Sequence, residues 1–155
     1  MNVLVISDTH GSLPKDLEDI GGDILFHAGD VGGHNIVNAA LLFKNYYIVQ
    51  GNTDCFSFFN FPERVRTTVE GVKIFMVHNL TAPHRIINEN RIYIESFIPD
   101  LVIYGHTHTP CINVINDVIY LNPGSFGKIG LAGYMSYAVV NIEDSKVTNI
   151  SIYDV

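Results

Sequence analysis

Short apolar segments alternate with polar, glycine-rich segments along the first third of the chain. Residues Asn2 to Ile6, Asp23 to His27 and Tyr46 to Val49 are mostly apolar or β-branched, which is typical of short buried strands. Between them, Pro14 to Ile20 and Asn35 to Phe43 space their apolar residues as short helices do. This alternation favours parallel βαβ units whose sheet is covered by helices.

The second part of the chain changes to hairpins. Three pairs of apolar segments are each joined by a short polar turn, which indicates antiparallel strands. The pairs are Arg64 to Val69 with Val72 to Val77, Ile112 to Ile115 with Val118 to Leu121, and Tyr137 to Ile142 with Lys146 to Tyr153. A helix is predicted over Pro83 to Phe97, and a further buried strand over Leu101 to Tyr104.

Together the two parts predict two mixed sheets packed face to face with helices outside. The pattern is compatible with an α/β or an α+β fold and does not decide between them. Because there is no repeat or linker, we expect one domain over residues 1–155.

Composition and cysteine content narrow the class of protein. Hydrophobic residues make up 47% and charged residues 16% of the 155 residues, as expected for a globular chain with a sizeable core. The apolar N-terminus lacks a basic leader and a cleavage site, so we interpret it as a strand and not a signal peptide. Cys55 and Cys111 have no disulfide or metal-ligand spacing, which favours reduced thiols in a cytoplasmic protein.

The formal charge of −7 disfavours a general polyanion-binding role, so we expect no stable nucleic-acid partner and no membrane partner. Aspartates that bind divalent metals would be neutralised in place, and the charge then says little about the outer surface. Seven histidines among 155 residues fit metal binding, since imidazole is a common metal ligand.

Potential metal ligands follow five of the predicted strands. They are Asp8 and His10 after the first strand, Asp30 after the second, Asn52 after the third, His78 after the fifth, and His106 and His108 after the sixth. In open α/β sheets, ligands bind beyond the carboxyl ends of the strands. In extended backbone the i, i+2 spacing of Asp8 with His10, and of His106 with His108, would put each pair on one face. Several unconnected turns and helix caps would not explain why ligand-type residues end five strands.

The ligand types indicate the kind of metal. Imidazole, carboxylate and amide ligands together suit Mn, Fe, Co, Ni or Zn and not Ca. Seven ligands are too many for one catalytic ion, which keeps a position open for water. They suit two ions that share a carboxylate, and such a pair can hold both oxygens of an in-line phosphoryl displacement.

The motifs Asp8-x-His10, Gly29-Asp30, Gly51-Asn52-x-Asp54, His78 and Gly105-His106-x-His108 resemble, in order and spacing, those of the calcineurin-like metallophosphoesterases. The length and the Asn122-Pro123-Gly124-Ser125 segment are most similar to the small YfcE-like phosphodiesterase branch. The resemblance covers residues 5 to about 126. It implies a four-layer αββα sandwich of two mixed sheets flanked by helices.

The resemblance also implies a ligand set and a reaction. Asp8, His10, Asp30 and His108 would hold one ion, and Asp30, Asn52, His78 and His106 the other. Mn is the first choice of metal, with Ni, Fe, Co or Zn as alternatives. A hydroxide between the two ions would be the nucleophile, and Asp30, Asn52 and His78 are assigned catalytic roles.

Two positions depart from the family. Many relatives have a histidine after the asparagine ligand that is thought to assist the leaving group, and this chain has Thr53. We therefore expect a preference for good leaving groups. The family usually has glycine after the histidine ligand, whereas this chain has Asn79. Because asparagine tolerates left-handed backbone, we expect the loop to be preserved.

Other polar residues have simpler interpretations. We interpret His27 and His84 as packing or surface residues, while His34 would lie near the mouth of the crevice. Asp54 suits a helix cap or support for a histidine ligand. Residues Asn122 to Ser125 form a tight turn, which in relatives packs beneath the site.

Three functions follow from these observations. The leading one is a phosphodiesterase, a phosphoric diester hydrolase acting on small or nucleotide-like phosphoesters. The alternatives are a phosphomonoesterase or nucleotidase with the same metals, and a non-catalytic scaffold of the same fold. The aromatic cluster of Phe56, Phe58, Phe59 and Phe61 is either core or a dimer surface, so a monomer or a homo-dimer is expected.

Overall fold

Ten strands form two five-stranded sheets in the part of the chain that the structure describes. The structure is a computed structural model, and it describes residues 1–54, 60–81, 88–128, 130 and 133–155, with the side chains of residues 88 and 89 left aside. The strands are β1 (Asn2–Ile6), β2 (Ile24–His27), β3 (Asn45–Ile48), β4 (Arg64–Val69), β5 (Val72–Val77), β6 (Leu101–Ile103), β7 (Cys111–Ile115), β8 (Val118–Asn122), β9 (Ser136–Glu143) and β10 (Lys146–Asp154). The helices are α1 (Leu17–Ile20), α2 (His34–Ala40) and α3 (Asn88–Phe97).

The first sheet has the strand order β10-β9-β1-β2-β3. β1, β2 and β3 are parallel, as the βαβ pattern predicts, with Val5 opposite Phe26 and Phe26 opposite Tyr47. On its other side β1 pairs antiparallel with β9, and β9 pairs with β10 in the C-terminal hairpin. The sheet is therefore mixed, and its parallel strands end at one common edge.

The second sheet has the order β4-β5-β6-β8-β7. Its three central strands, β5, β6 and β8, are parallel, and the antiparallel strands β4 and β7 lie at its edges. The predicted hairpins are confirmed by the antiparallel pairing of their strands. Each turn contains a pair of residues with positive φ. These pairs are Glu70 and Gly71, Asn116 and Asp117, and Asp144 and Ser145. Two positive φ angles give the turn the twist that suits a two-residue hairpin.

Side-chain alternation along the strands creates three layers of core. In β1, Val3 and Val5 face the opposite sheet, and Leu4 and Ile6 face the helices. In β5, Ile74 and Met76 face the first sheet, while Phe75 and Val77 lie in the cluster that contains Ile94 of α3. The central cluster between the sheets consists of fully or almost fully buried aliphatic side chains with Phe26 among them.

The layers therefore run helix, sheet, sheet, helix, as the four-layer αββα expectation states. The helices are shorter than the sequence pattern predicts. The N-terminal helix begins at Leu17 and not at Pro14, and the second ends at Ala40 and not at Phe43. The predicted start of the third helix at Pro83 lies outside the described residues. Among the helices that the structure describes, none is long and apolar enough to cross a membrane.

Candidate metal centre

The loops after the parallel strands stay paired beyond the strand ends. The backbone N–H of Asp8 donates to the carbonyl oxygen of Gly29 at 3.0 Å, and that of His10 donates to Asp30 at 2.9 Å. On the second sheet, the N–H of Gly105 donates to the carbonyl of His78 at 2.9 Å. These hydrogen bonds fix the loops against each other, so the polar residues that follow β1, β2, β5 and β6 meet at one end of the sandwich.

Five of the predicted ligands have left-handed backbone. The φ angles are 53° at Asp8, 46° at His10, 55° at Asp30, 69° at His106 and 55° at His108. The expectation that extended backbone puts each i, i+2 pair on one face is therefore wrong. Non-glycine residues rarely have positive φ, and clusters of them mark functional sites where surrounding structure holds the strain.

Asp8, His10, Asp30 and His108 form one group of ligand atoms, which all lie within 4.8 Å of one another. Asp8 Oδ1 is 3.1 Å from His108 Nε2, and Asp30 Oδ2 is 3.7 Å from His10 Nε2. The rings of His10 and His108 are 5.5 Å apart. Two carboxylates and two imidazoles at these separations can hold one divalent ion.

The other three predicted ligands meet around the amide of Asn52. Its Oδ1 lies 3.0 Å from His78 Nε2 and 2.9 Å from His106 Nδ1. Asp30 Oδ1 is 3.6 Å from the same His78 Nε2. Each oxygen of Asp30 is therefore directed toward a different histidine, which is the geometry of a carboxylate between two groups of ligands.

Two buried acceptor atoms of the site lack hydrogen-bond partners among the described residues. Asp8 Oδ1 and His10 Nε2 are buried side-chain atoms without a hydrogen-bond partner among the described residues. The Nδ1–H of His78 donates to the carbonyl of Ala28 at 2.7 Å, which turns Nε2 of the ring toward Asn52 Oδ1. Unpaired buried acceptors are costly, and a cation removes that cost. The donor set therefore fits divalent metal binding.

The second oxygen of Asp8 is already bonded to protein. Ser7 donates its hydroxyl to Asp8 Oδ2 at 2.6 Å, and the backbone N–H of His106 donates to the same oxygen at 3.1 Å. These two bonds orient the carboxylate so that Oδ1 faces the histidines. Sequence reasoning missed Ser7, although a buried polar residue directly before a ligand was a signal for this role.

Hydrogen bonds also hold Asp30 in its ionised form. Burial alone would raise the pKa of Asp30, but hydrogen bonds from Thr53 and the charge of His78 outweigh burial and lower it. The Thr53 N–H donates to Asp30 Oδ1 at 2.9 Å. Burial disfavours the charged form of an imidazole and therefore lowers the pKa of His10, while the negative charge of Asp30 partly opposes this decrease. Both directions favour the forms that bind metal.

Asp54 supports backbone, and its carboxylate has no hydrogen bond to a histidine within the described residues. Its carboxylate accepts the N–H groups of Val31 and Gly32 at 3.1 Å and that of Gly51 at 2.9 Å. It therefore ties the Asp30 loop to the Asn52 loop. One buried carboxylate between two loops can satisfy three N–H groups that would otherwise lack partners.

Asn79 does not use the left-handed conformation that was expected there. Positive φ occurs two residues later, at Thr81, with φ 73°. The Asn79 Oδ1 accepts the Thr81 N–H at 2.9 Å, and its carbonyl accepts the Nδ2–H of Asn90 at 3.0 Å. An Asx turn at Asn79 therefore forms the loop without the glycine that was expected from the family pattern.

His27 is fully buried behind the site and bonds to the loops that carry the ligands. Its Nε2–H donates to Thr9 Oγ1 at 2.8 Å, and its Nδ1 accepts the N–H of Gly29 at 3.2 Å. The Thr9 hydroxyl donates to the carbonyl of Val31 at 2.9 Å. Burial lowers the pKa of His27 to about 4, so it is neutral at pH 7.

The segment from Asn122 to Ser125 contacts the ligand loops of both sheets. Ser125 donates its hydroxyl to the carbonyl of Asp8 at 3.0 Å, and Asn122 Nδ2 donates to the carbonyl of Gly105 at 2.9 Å. Asn122 and Ser125 are fully buried. This segment is therefore more than a turn, because it fixes the loop after β1 relative to the loop after β6.

The remaining predicted positions have mixed outcomes. His34 is exposed at the start of α2, and Phe61 packs partly buried against the helix-side core. Cys111 is a free thiol. His84, Cys55, Phe56, Phe58 and Phe59 lie outside the described residues.

Carboxylates, an amide and imidazoles that converge at one end of a mixed-sheet sandwich form a candidate centre for divalent metal. The family profile described as the calcineurin-like phosphoesterase superfamily domain matches residues 1–145, so this chain belongs to that family. The resemblance stated from the motifs is thereby confirmed. Members of this family use divalent metals, and membership places the chain among the hydrolases of the phosphoesterase class.

Similar proteins agree with this assignment. A probable metallophosphoesterase from Methanocaldococcus jannaschii is 32% identical over 133 residues, which cover 81% of this chain and 68% of the relative. A phosphodiesterase from the same organism is 29% identical over 143 residues, covering 80% of this chain and 83% of that protein. The structure of vacuolar protein sorting 29 from Cryptosporidium parvum matches with a TM-score of 0.76 at 22% identity, covering 99% of this chain and 97% of that chain. At that identity the match shows the shared fold.

Two glycine substitutions separate backbone strain from damage to the site. A Cβ at Gly29 (φ +94°) would lie 2.7 Å from His78 Nδ1, whereas a Cβ at Gly21 (φ +76°) meets nothing within 4 Å. Gly29→Ala should lower Mn²⁺ affinity by about 10- to 100-fold, the loss typical when a ligand's support is removed. Gly21→Ala should cost about 1–2 kcal/mol of stability through strain alone and keep its affinity. Calorimetric titration with Mn²⁺ measures the affinity of each variant. Equal affinities in the two variants would contradict the view that Gly29 leaves the space that His78 needs.

The buried His27 predicts a loss of stability in acid. His27 takes up a proton near pH 6.5 in the unfolded chain and only near pH 4 in the folded chain. The contribution of the neutral ring to the free energy of unfolding is therefore complete above pH 6.5 and is lost as the pH falls toward 4. The slope from this one group is at most about 1.4 kcal/mol per pH unit. His27→Gln, which can donate and accept as the neutral ring does, should flatten the urea midpoint between pH 4.5 and 6.5 in the presence of EDTA. The exposed His34→Gln is the matched control, and parallel curves for wild type and His27→Gln would reject this role.

Proposed function

We propose that this chain is a metal-dependent phosphodiesterase that hydrolyses small or nucleotide-like phosphodiesters with two divalent ions, Mn²⁺ being the ion proposed. The observation that carries the proposal is the position of Asp30, whose Oδ1 and Oδ2 are directed toward His78 and His10 respectively. A shared carboxylate between two groups of ligands is what two adjacent ions require.

The ligand assignment follows the two groups. Asp8, His10, Asp30 and His108 would hold one ion, and Asp30, Asn52, His78 and His106 would hold the other. When bound, such ions supply an acidified water and stabilise charge on the phosphoryl oxygens.

Hydrogen bonds and backbone conformation within the chain orient the proposed ligands. The bond from His78 Nδ1 to Ala28 fixes the ring so that Nε2 faces Asn52 and Asp30. The bonds from Ser7 and from the His106 N–H fix Asp8. The strained backbone at Asp8, His10, Asp30, His106 and His108 positions their side chains before substrate arrives. Such preorganisation lowers the reorganisation that the reaction would otherwise require.

The named relatives support the substrate class at a coarse level. One is a phosphodiesterase, 29% identical over 143 residues. A phosphomonoesterase or nucleotidase with the same ligands is the alternative enzyme. The likeness to vacuolar protein sorting 29 raises a scaffold of the same fold as a further alternative. The seven converging side chains favour an enzyme over a scaffold, because a scaffold does not need them.

We also propose the following properties. They are a single domain over residues 1–155, a small phosphoester as substrate, no stable nucleic-acid or membrane partner, a cytoplasmic location, and a monomer or homo-dimer. Light scattering during size-exclusion chromatography decides the last of these.

Removing the shared carboxylate tests the proposal. Asp30→Asn should lower kcat on bis-p-nitrophenyl phosphate by at least about 100-fold, because it removes a ligand itself and not only an outer partner. Asp117→Asn, in the β7–β8 turn at the other end of the sandwich, is the matched control and should keep full activity. Metal analysis of protein purified without chelator accompanies the assay. Protein that binds no added Mn²⁺ would indicate a scaffold, and hydrolysis confined to monoesters would indicate a phosphatase.

Thr53 predicts a dependence on the leaving group. A threonine hydroxyl is a poor acid, so p-nitrophenyl diesters should react much faster than simple alkyl diesters. Thr53→His should raise the rate on an alkyl diester more than the rate on an aryl diester, since general-acid catalysis is typically worth about 10²- to 10⁴-fold where the leaving group needs a proton. Steady-state kcat/KM values for both substrates in both proteins measure this. Comparable wild-type rates on aryl and alkyl diesters would show that another group supplies the proton.

A further inference from the structure

A cavity of about 290 Å³ adjoins the Asn52 side of the candidate metal centre. Asn52 and His78 form part of its lining, so it opens directly beside the proposed ligands. Its other walls include Gln50, Asn79 and Asn90. A group attached to a phosphate at the metal centre could therefore extend into this cavity without leaving the protein surface.

The charged residues of the cavity balance each other. Arg64 Nη1 donates to Glu63 Oε2 at 2.8 Å, and its Nε donates to Asn90 Oδ1 at 2.8 Å. The guanidinium also lies over the ring of Tyr93, with 4.9 Å from its carbon to the ring centroid. The cation is thereby oriented and matched by one carboxylate. Among the described residues that line the cavity, this pair contributes one positive and one negative charge.

Two side-chain amides in the cavity have unused hydrogen-bonding groups. The Gln50 side chain has no hydrogen bond within the described residues, while its backbone N–H is bonded to Pro62 at 2.9 Å. Asn79 uses Oδ1 for the Thr81 N–H, which directs Nδ2 away from that bond and leaves it as a donor. Asn90 differs, because both of its amide atoms are bonded, to Arg64 and to Asn79. It therefore forms a fixed wall, and Gln50 and Asn79 supply the recognition groups.

We propose that this cavity binds one ester substituent of the phosphodiester, and that this substituent is a neutral, hydrogen-bonding group of nucleoside type recognised by Gln50 and Asn79. The inference rests on the proposed phosphodiesterase function and names the substrate class for that site. A volume near the lower end of the range of about 300–1,000 Å³ for small-molecule sites suits one nucleoside and not a longer chain. Amide groups can donate to and accept from the edge of a base, whereas a simple alkyl group offers them no hydrogen bond.

Two diesters with the same leaving group test the proposal. One is the p-nitrophenyl ester of thymidine 5′-monophosphate, and the other is methyl p-nitrophenyl phosphate. The ratio of their kcat/KM values should favour the nucleoside diester at least tenfold in the Mn²⁺-loaded wild type. Gln50→Ala should lower that ratio about tenfold, chiefly through KM of the nucleoside diester. Asn149→Ala removes an amide side chain on β10, at the opposite edge of the first sheet from β3, and should leave the ratio unchanged.

A binding measurement separates this proposal from the activity. Saturation-transfer NMR with thymidine and Zn²⁺-loaded protein, which is diamagnetic, should show binding that weakens about tenfold in Gln50→Ala. Asn79→Asp should weaken it similarly, because it keeps the acceptor for Thr81 but replaces the Nδ2 donor, and neutral thymidine is not repelled by the new charge. Circular dichroism of each variant verifies folding.

The outcomes are distinguishable. An unchanged ratio in Gln50→Ala, or thymidine binding equal in wild type and both variants, overturns the cavity proposal and leaves the phosphodiesterase function standing. Hydrolysis of neither diester by wild-type protein overturns the phosphodiesterase function, and the thymidine measurement still decides whether the cavity binds a nucleoside.

Discussion

The structure depends on holding electron-pair donors of three chemical types next to one another at one end of a sandwich. Asp8 Oδ1 and His10 Nε2 are buried without a hydrogen-bond partner among the described residues, and His78 Nε2 faces Asn52 Oδ1 across 3.0 Å. For the buried atoms of this group the arrangement is unfavourable until a cation lies among the donors. Much of the surrounding structure maintains it through left-handed backbone at the ligands, a serine that occupies the second oxygen of Asp8, and a carboxylate, Asp54, that binds two loops together.

Most of the fold could be predicted from hydrophobic spacing. β1, β4 and β5 begin and end at the predicted residues, since their apolar runs are bounded by turn residues on both sides. The order of strands within each sheet could not be predicted. The pairing of β1 with β9 joins residues about 140 positions apart, such as Asn2 and Asn141, and no local pattern specifies it. The pattern predicted two sheets packed face to face with helices outside, and the family resemblance was needed to decide between an α/β and an α+β fold.

The residues of the site were easier to predict than their geometry. Polar residues in the loop that follows a buried strand are visible in the sequence, and all seven proposed ligands lie in such loops. Their backbone conformation is not visible, because φ at Asp8 or His106 is set by hydrogen bonds to residues remote in the chain. The same reason explains why the hydrogen bonds by which Ser7, His27 and Asp54 hold the loops could not be predicted. Each acts through a bond whose other end is known only after folding.

The site is built from both halves of the molecule: Asp8, Asp30 and Asn52 follow strands of the first sheet, and His78, His106 and His108 follow strands of the second. An ion that binds there consequently adds a cross-link between the two sheets to the aliphatic packing and the loop hydrogen bonds that already join them. Binding to the native state alone adds RT ln(1 + [L]/Kd) to the free energy of unfolding, about 2.7 kcal/mol at a hundredfold excess over Kd. Resistance to heat and to proteolysis in this protein is therefore coupled to the supply of divalent metal in its surroundings.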